Sequence, residues 1–134
     1  MNIQFAYTIL YVEDVAKTIQ FYQAAFGFEQ KFITPEKDYG ELVSGTTTLA
    51  FANHTLGKSN FKADYLASNL QEPAFGMELA FTTDDVAASM QRAIEAGAVE
   101  LAPAIDKPWG QTVGYLRDLN GFILEICTPM STGS

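Results

Sequence analysis

Residues 7–27 read YTILYVEDVAKTIQFYQAAFG, and residues 78–97 read ELAFTTDDVAASMQRAIEAG. Asp14-Val15-Ala16 with Gln20 in the first stretch returns 71 positions later as Asp85-Val86-Ala87 with Gln91. The matches fall at the same point of two similar patterns. In each, an apolar strand-like run ends at an aspartate, whose side-chain oxygen suits the N-cap of a helix. Val15, Ile19, Tyr22 and Phe26 then follow at helical spacing, and Gly27 stands where that helix would end. In the second stretch Val86, Met90, Ala93 and Ile94 form the stripe, and Gly97 ends it.

Strand signals surround both helices. Ile3, Phe5, Tyr7, Ile9 and Tyr11 alternate with Ala6, Thr8, Leu10 and Val12, which predicts a first strand buried on both faces. Phe28–Thr34, Tyr39–Ser44 and Thr47–Asn53 read as three more, with Gly45 in a turn. The second half repeats the order with Phe75–Thr82, Val99–Ile105, Gln111–Arg117 and Phe122–Thr128. Asn120-Gly121 suits a tight turn because both residue types tolerate positive φ. The expected fold class is α+β, with tandem βαβββ modules over about residues 3–54 and 75–129 of one 134-residue domain. Residues 55–74 are polar and turn-rich, and they read as a linker, a lid or a dimer arm.

Composition narrows the function classes. Hydrophobic residues make up 48% of the chain, enough for a core. The net charge is −8, and Arg92 and Arg117 are the only arginines. That balance argues against nucleic acid and against an anionic membrane surface as partners. No apolar run approaches the ~20 residues of a membrane span. The start of the chain reads as a strand and not as a secretion signal. Cys127 is the sole cysteine, so no intrachain disulfide forms, and a cytoplasmic location is expected. Ser131-Thr132-Gly133-Ser134 reads as a frayed end or an appended remnant.

With those features assembled, the chain resembles the vicinal oxygen chelate superfamily of glyoxalases, bleomycin-resistance proteins and extradiol dioxygenases. The resemblance spans Phe5 to about Pro129. It is carried by Tyr7–Asp14 ahead of Phe21-Tyr22 and Phe26-Gly27-Phe28, and by Pro108-Trp109-Gly110 ahead of Arg117–Phe122. Where the family usually has Asp-Pro-Asp-Gly, this chain has Asp118-Leu119-Asn120-Gly121. The resemblance implies a cupped mixed sheet with the helices outside, a site within the cup, and a homodimer. Metal-dependent members take ligands, usually His then Glu, from the first and last strands of each module. Those places here are Tyr7, Ala50, Glu78 and Glu125, of which only Glu125 keeps the usual residue. Ala50 has no donor, and an unperturbed phenol titrates near ~10, so no metal and no cofactor are expected. The fold itself hosts many chemistries and selects none of them.

The candidate residues are weighed against plainer roles. Glu78 and Glu125 should lie near each other, where mutual repulsion would raise a pKa and supply a general acid or base. The plain alternative is satisfaction by Tyr7, a hydroxyl or water. Trp109 and Tyr115 share strand parity and are expected to flank a pocket floored by Tyr7, Glu78 and Glu125; ordinary core packing competes. Glu41 and Tyr39 share a face of the third strand. His54, the sole histidine, stands at a strand end beside the linker, where a surface role competes with ligand contact. Phe51 is expected in the core beneath the first helix, and Cys127 is expected to be a packed thiol. The leading expectation is a metal-free binder of a small neutral or cationic molecule with an aromatic group. The alternatives are a glyoxalase-like or dioxygenase-like enzyme using Glu78 and Glu125 for metal binding or proton transfer, and an interaction module without a small ligand.

Overall fold

The computed structural model describes residues 1–130, so the expectation for Ser131–Ser134 lies outside the described residues. The elements are β1 (Thr8–Val12), α1 (Val15–Phe26), β2 (Glu29–Ile33), β3 (Tyr39–Ser44), β4 (Thr47–Asn53), α2 (His54–Phe61), β5 (Glu78–Thr82), α3 (Val86–Ala96), β6 (Val99–Asp106), β7 (Thr112–Arg117) and β8 (Ile123–Cys127). They form an α+β chain with two four-stranded mixed sheets, ordered β1-β4-β3-β2 and β5-β8-β7-β6. In each sheet the first strand runs parallel to the fourth, and the other pairings are antiparallel. The contacts divide into two compact units, residues 1–23 with 27–67, and residues 24–26 with the chain from Ser68 onward.

Both long helices start and stop as the repeat predicts. Asp14 accepts the Lys17 N–H at 3.0 Å, and Asp85 accepts the Ala88 N–H at 3.0 Å. Each cap satisfies a donor that the first turn leaves without a helical partner, a contribution of about 1 kcal/mol. Gly27 closes α1 in the left-handed conformation at φ 71°. In the first unit Val15, Ile19 and Tyr22 are buried, and Tyr22 meets Phe51 with ring centroids 5.2 Å apart. In the second, Val86, Met90 and Ala93 are buried, as are Leu116, Leu124 and Ile126.

A tight helix-to-sheet approach occurs in both units. A Cβ on Gly40 of β3 would lie 2.6 Å from Ile19 Cδ1, and one on Gly114 of β7 would lie 2.3 Å from Met90 Sδ. These contacts show which face of each sheet carries the helix. On the opposite face of the first unit lie Ile9, Tyr11, Tyr39, Glu41, Ala50 and Ala52, and on that of the second lie Ala80, Tyr115, Glu125 and Cys127.

Four local expectations change. Residues 3–7 do not join β1, whose pairing starts at Thr8↔Leu49, and in that register the start of β4 at Thr47 leaves residues 3–5 without a partner in the sheet. Likewise Phe75–Met77 precede β5 without joining it. The joining stretch opens with α2, capped by Asn53, which accepts the Leu56 N–H at 2.9 Å. At the Asn120-Gly121 turn only Gly121 adopts positive φ, at 88°. Asp118 explains why one suffices. Its buried carboxylate accepts the N–H groups of Asn120 and Phe122 at 2.9 and 3.0 Å, which builds the turn from the side chain.

Candidate binding site

The register of the second sheet gathers its polar groups. Glu125 in β8 lies between Ala80 of β5 and Tyr115 of β7. Alternation then puts Glu78 two residues before Ala80, and Cys127 two residues after Glu125, on the same face. Tyr115 Oη donates to Glu125 Oε1 at 3.2 Å. Glu78 is exposed at the start of β5, and its slight desolvation, then the nearby carboxyl of Glu125, raises its pKa above the ordinary carboxyl range. Tyr115 is raised by partial burial, by its bond to Glu125 and by both carboxylates.

Cys127 is buried against the Phe81 carbonyl, 3.8 Å from its Sγ. Burial, then the neighbouring carboxyls of Glu125 and Glu78, pushes the thiol up to about 11. It is therefore a protonated packed thiol at neutral pH and a poor nucleophile. Among the described residues no cationic side chain pairs with Glu78 or Glu125.

The first unit treats its acid differently. Tyr39 Oη donates to Glu41 Oε2 at 2.7 Å, and Lys31 Nζ lies 3.8 Å from Glu41 Oε1. Burial, then the bond to Glu41 and its charge, raises the Tyr39 phenol well above its ordinary value; Tyr7 adds to that rise. Glu41 is itself buried. Tyr7, half exposed just ahead of β1, stands apart from the sheet ladder.

His54 is the first residue of α2 and not a strand end, because the Asn53 cap turns the chain into a helix there. Strand parity with Ala50 therefore does not govern its direction. Its Nδ1 hydrogen-bonds the Tyr65 hydroxyl. Tyr65 also stacks on Tyr11 at 4.9 Å between centroids, and Phe61 lies 6.1 Å from Tyr11. Gly57 is buried beneath these rings, since a Cβ there would meet Tyr11 at 2.8 Å. Burial, then Lys58, lowers the His54 pKa, and Glu13 opposes this. The Tyr11, Phe61 and Tyr65 cluster escaped the sequence reading. Tyr11 was visible on its strand, but Tyr65 lies in a polar segment with no periodicity to mark it.

Trp109 lies in the loop before the seventh strand, since β6 ends at Asp106 and β7 begins at Thr112, so strand parity with Tyr115 does not set its direction. The Lys107 N–H bonds the Gln111 carbonyl at 2.7 Å, which closes that turn. Trp109 is 60% exposed, donates its indole N–H to Gln111 Oε1 at 2.7 Å, and has Lys107 Nζ 5.9 Å from its ring centroid.

The donor set does not fit a transition metal. Ala50 offers nothing and is fully buried, and Tyr7 is a phenol outside the sheet. Glu125 already accepts the Tyr115 hydroxyl. Among the described residues no three His, Cys, Asp or Glu side chains gather as a metal site would require.

A fold of two βαβββ units and the Arg117–Phe122 turn place the chain among known proteins. The chain belongs to the glyoxalase-like domain family, whose pattern matches residues 5–131. No curated protein matches it by sequence. A glyoxalase-related enzyme from Fulvimarina pelagi is 25% identical, with TM-score 0.81 over 94% of this chain and 88% of that one. A hypothetical protein from S. aureus has TM-score 0.79 at 19% identity, over 96% of each chain. A glyoxalase/bleomycin resistance protein/dioxygenase family enzyme from Burkholderia phytofirmans has TM-score 0.73 at 20% identity, over 92% of this chain and 96% of that one. The last two likenesses concern the fold alone. Among the described residues no helix is long and apolar enough to cross a membrane.

Proposed function

We propose that the protein binds a small neutral or cationic molecule carrying an aromatic group, without a transition metal, on the face of the second sheet turned away from α3. The observation that carries this reading is a carboxyl pair with a phenol beside it and no cation to balance it. Slight desolvation and then the charge of Glu125 raise the Glu78 pKa, and Tyr115 donates to Glu125 at 3.2 Å. A cationic group gains there what Lys31 already gives Glu41 in the first unit. A glutathione-like anion adds a further negative charge and is disfavoured. The Tyr115 ring supplies a surface for a flat apolar group. The buried thiol of Cys127 suits a reducing cytoplasm, and a homodimer is the assembly we assign.

Thermal shift with a matched pair of probes tests the reading. Phenylethylammonium should raise the melting temperature and phenylacetate should not. A larger shift with phenylacetate would refute it, and no shift with any small aromatic molecule would favour a pure interaction module.

One observation favours a second reading. The raised pKa of Glu78 beside Glu125 suits proton transfer on a carbonyl substrate. Deuterium wash-in from D2O into phenylacetone, followed by NMR, checks it. Acceleration by the wild type and none by Glu78→Gln would establish an enzyme. No acceleration would leave the binder.

A further inference from the structure

Four strands form the edges of the two sheets: β1, β2, β5 and β6. An exposed edge invites pairing with another chain, and soluble proteins defend edges with charges, proline or bulges. Three of these four are defended. β2 carries Glu29 and Lys31 and shifts register between Gln30 and Phe32. β6 carries Glu100, Pro103 and Asp106, with two register shifts. β5 opens on Glu78. β1 and the segment before it have no such device. Residues 1–12 contain no charged side chain and no proline.

The segment before β1 has a strand's pattern without a strand's partner. Ile3, Phe5 and Tyr7 alternate with Gln4 and Ala6 and continue the stripe of Ile9 and Tyr11. Ile3 is 85% exposed, Phe5 88% and Tyr7 45%. The register Thr8↔Leu49 leaves β4 exhausted at Thr47, so nothing in that sheet remains to pair with residues 1–5. A Phe and an Ile this exposed forgo the stabilisation that burial would bring.

We propose that Ile3–Tyr7 pairs antiparallel with the same segment of a second copy, about a two-fold axis at Phe5. This assigns a surface to the homodimer proposed above and rests on that assignment. In such an isologous contact each residue meets a symmetry-determined mate. Phe5 faces the partner's Phe5, and Tyr7 faces the partner's Ile3, which are favourable cross-strand pairs. Charge selects this segment as well. Two copies at −8 repel, and the first twelve residues are a stretch on which they can meet with no like charges opposed. The pairing also fixes Tyr7, which is otherwise held by no ladder.

Light scattering and cross-linking test the surface. The wild type should show a dimer mass at micromolar concentrations. Phe5→Lys should give a monomer with an unchanged circular dichroism spectrum, because Phe5 packs against little in its own chain. Opposed Cα atoms in an antiparallel pair lie about 4.5–5.5 Å apart, within disulfide range. Phe5→Cys should therefore form a disulfide-linked dimer under mild oxidation, and Ile3→Cys alone should not. A wild-type monomer would overturn both the homodimer and this surface. A wild-type dimer that persists in Phe5→Lys, or that fails to cross-link through Phe5→Cys, would overturn the surface and leave the homodimer standing.

Discussion

The two units share one backbone plan but give their acids opposite environments. In the first, Glu41 of β3 sits opposite Ala50 and has both a phenol and a lysine as partners. In the second, Glu125 of β8 sits opposite Tyr115 and has a phenol and a second carboxyl. The first acid is neutralised and buried, which is how a structural carboxylate persists in a core. The second holds a pair whose charge only a proton or an incoming group can balance. The two units thus share a backbone plan while the side chains on one face of each sheet differ in how their acids are partnered.

The comparison breaks most visibly if the shared backbone is disturbed. Gly40→Ala and Gly114→Ala should each destabilise by about 1–3 kcal/mol through overpacking against the helix. Gly114→Ala should be the more severe, because its Cβ would lie 2.3 Å from Met90 Sδ and 3.2 Å from the Ala104 backbone, against 2.6 Å from the terminal Cδ1 of Ile19 at Gly40. Chemical denaturation of both variants checks the order, and a harmless Gly40→Ala would show that the helix stands off more than described.

Binding separates the faces at a smaller scale. Tyr115→Ala should weaken phenylethylammonium about tenfold, or roughly 1.4 kcal/mol. Tyr39→Ala should leave it within twofold, even if that variant is less stable. The helix caps, by contrast, should be equivalent. Asp14→Ala and Asp85→Ala should each lower stability by about 1 kcal/mol, since both accept one N–H at 3.0 Å.

The smallest effect is electrostatic. The folded chain raises the Glu78 pKa above its unfolded value. Such a group favours the fold below the ordinary carboxyl range, and that contribution is lost as pH rises through the folded pKa. Glu78→Gln should therefore raise the melting temperature slightly at pH 8 and not at pH 3.5. Glu41→Gln should give no such gain at pH 8, because it removes a carboxylate that has Lys31 beside it.

Legibility in the sequence followed the physics of periodicity. Both long helices were readable from their caps, Asp14 and Gly27 for the first and an aspartate at 84 or 85 and Gly97 for the second, where the structure uses Asp85. Phe51 was readable as core from strand parity, and Cys127 as a packed thiol because no base stands near it in sequence. The approach of Glu78 to Glu125 followed from the family resemblance. Parity misled at His54, where the chain has already turned into α2. The segment at residues 3–7 misled in another way. Its alternation is that of a strand, but pairing needs a neighbour, and no local pattern reveals where β4 begins relative to β1. The α2 cluster had no signal, since eight residues with one buried glycine show no apolar stripe.

Calorimetric titration of phenylethylammonium into the wild type, Glu125→Gln and Glu41→Gln tests the contrast between the two acids most directly. The account predicts about a tenfold loss of affinity in Glu125→Gln and wild-type affinity in Glu41→Gln. Equal losses in both variants, or tighter binding to Glu125→Gln than to the wild type, would contradict it.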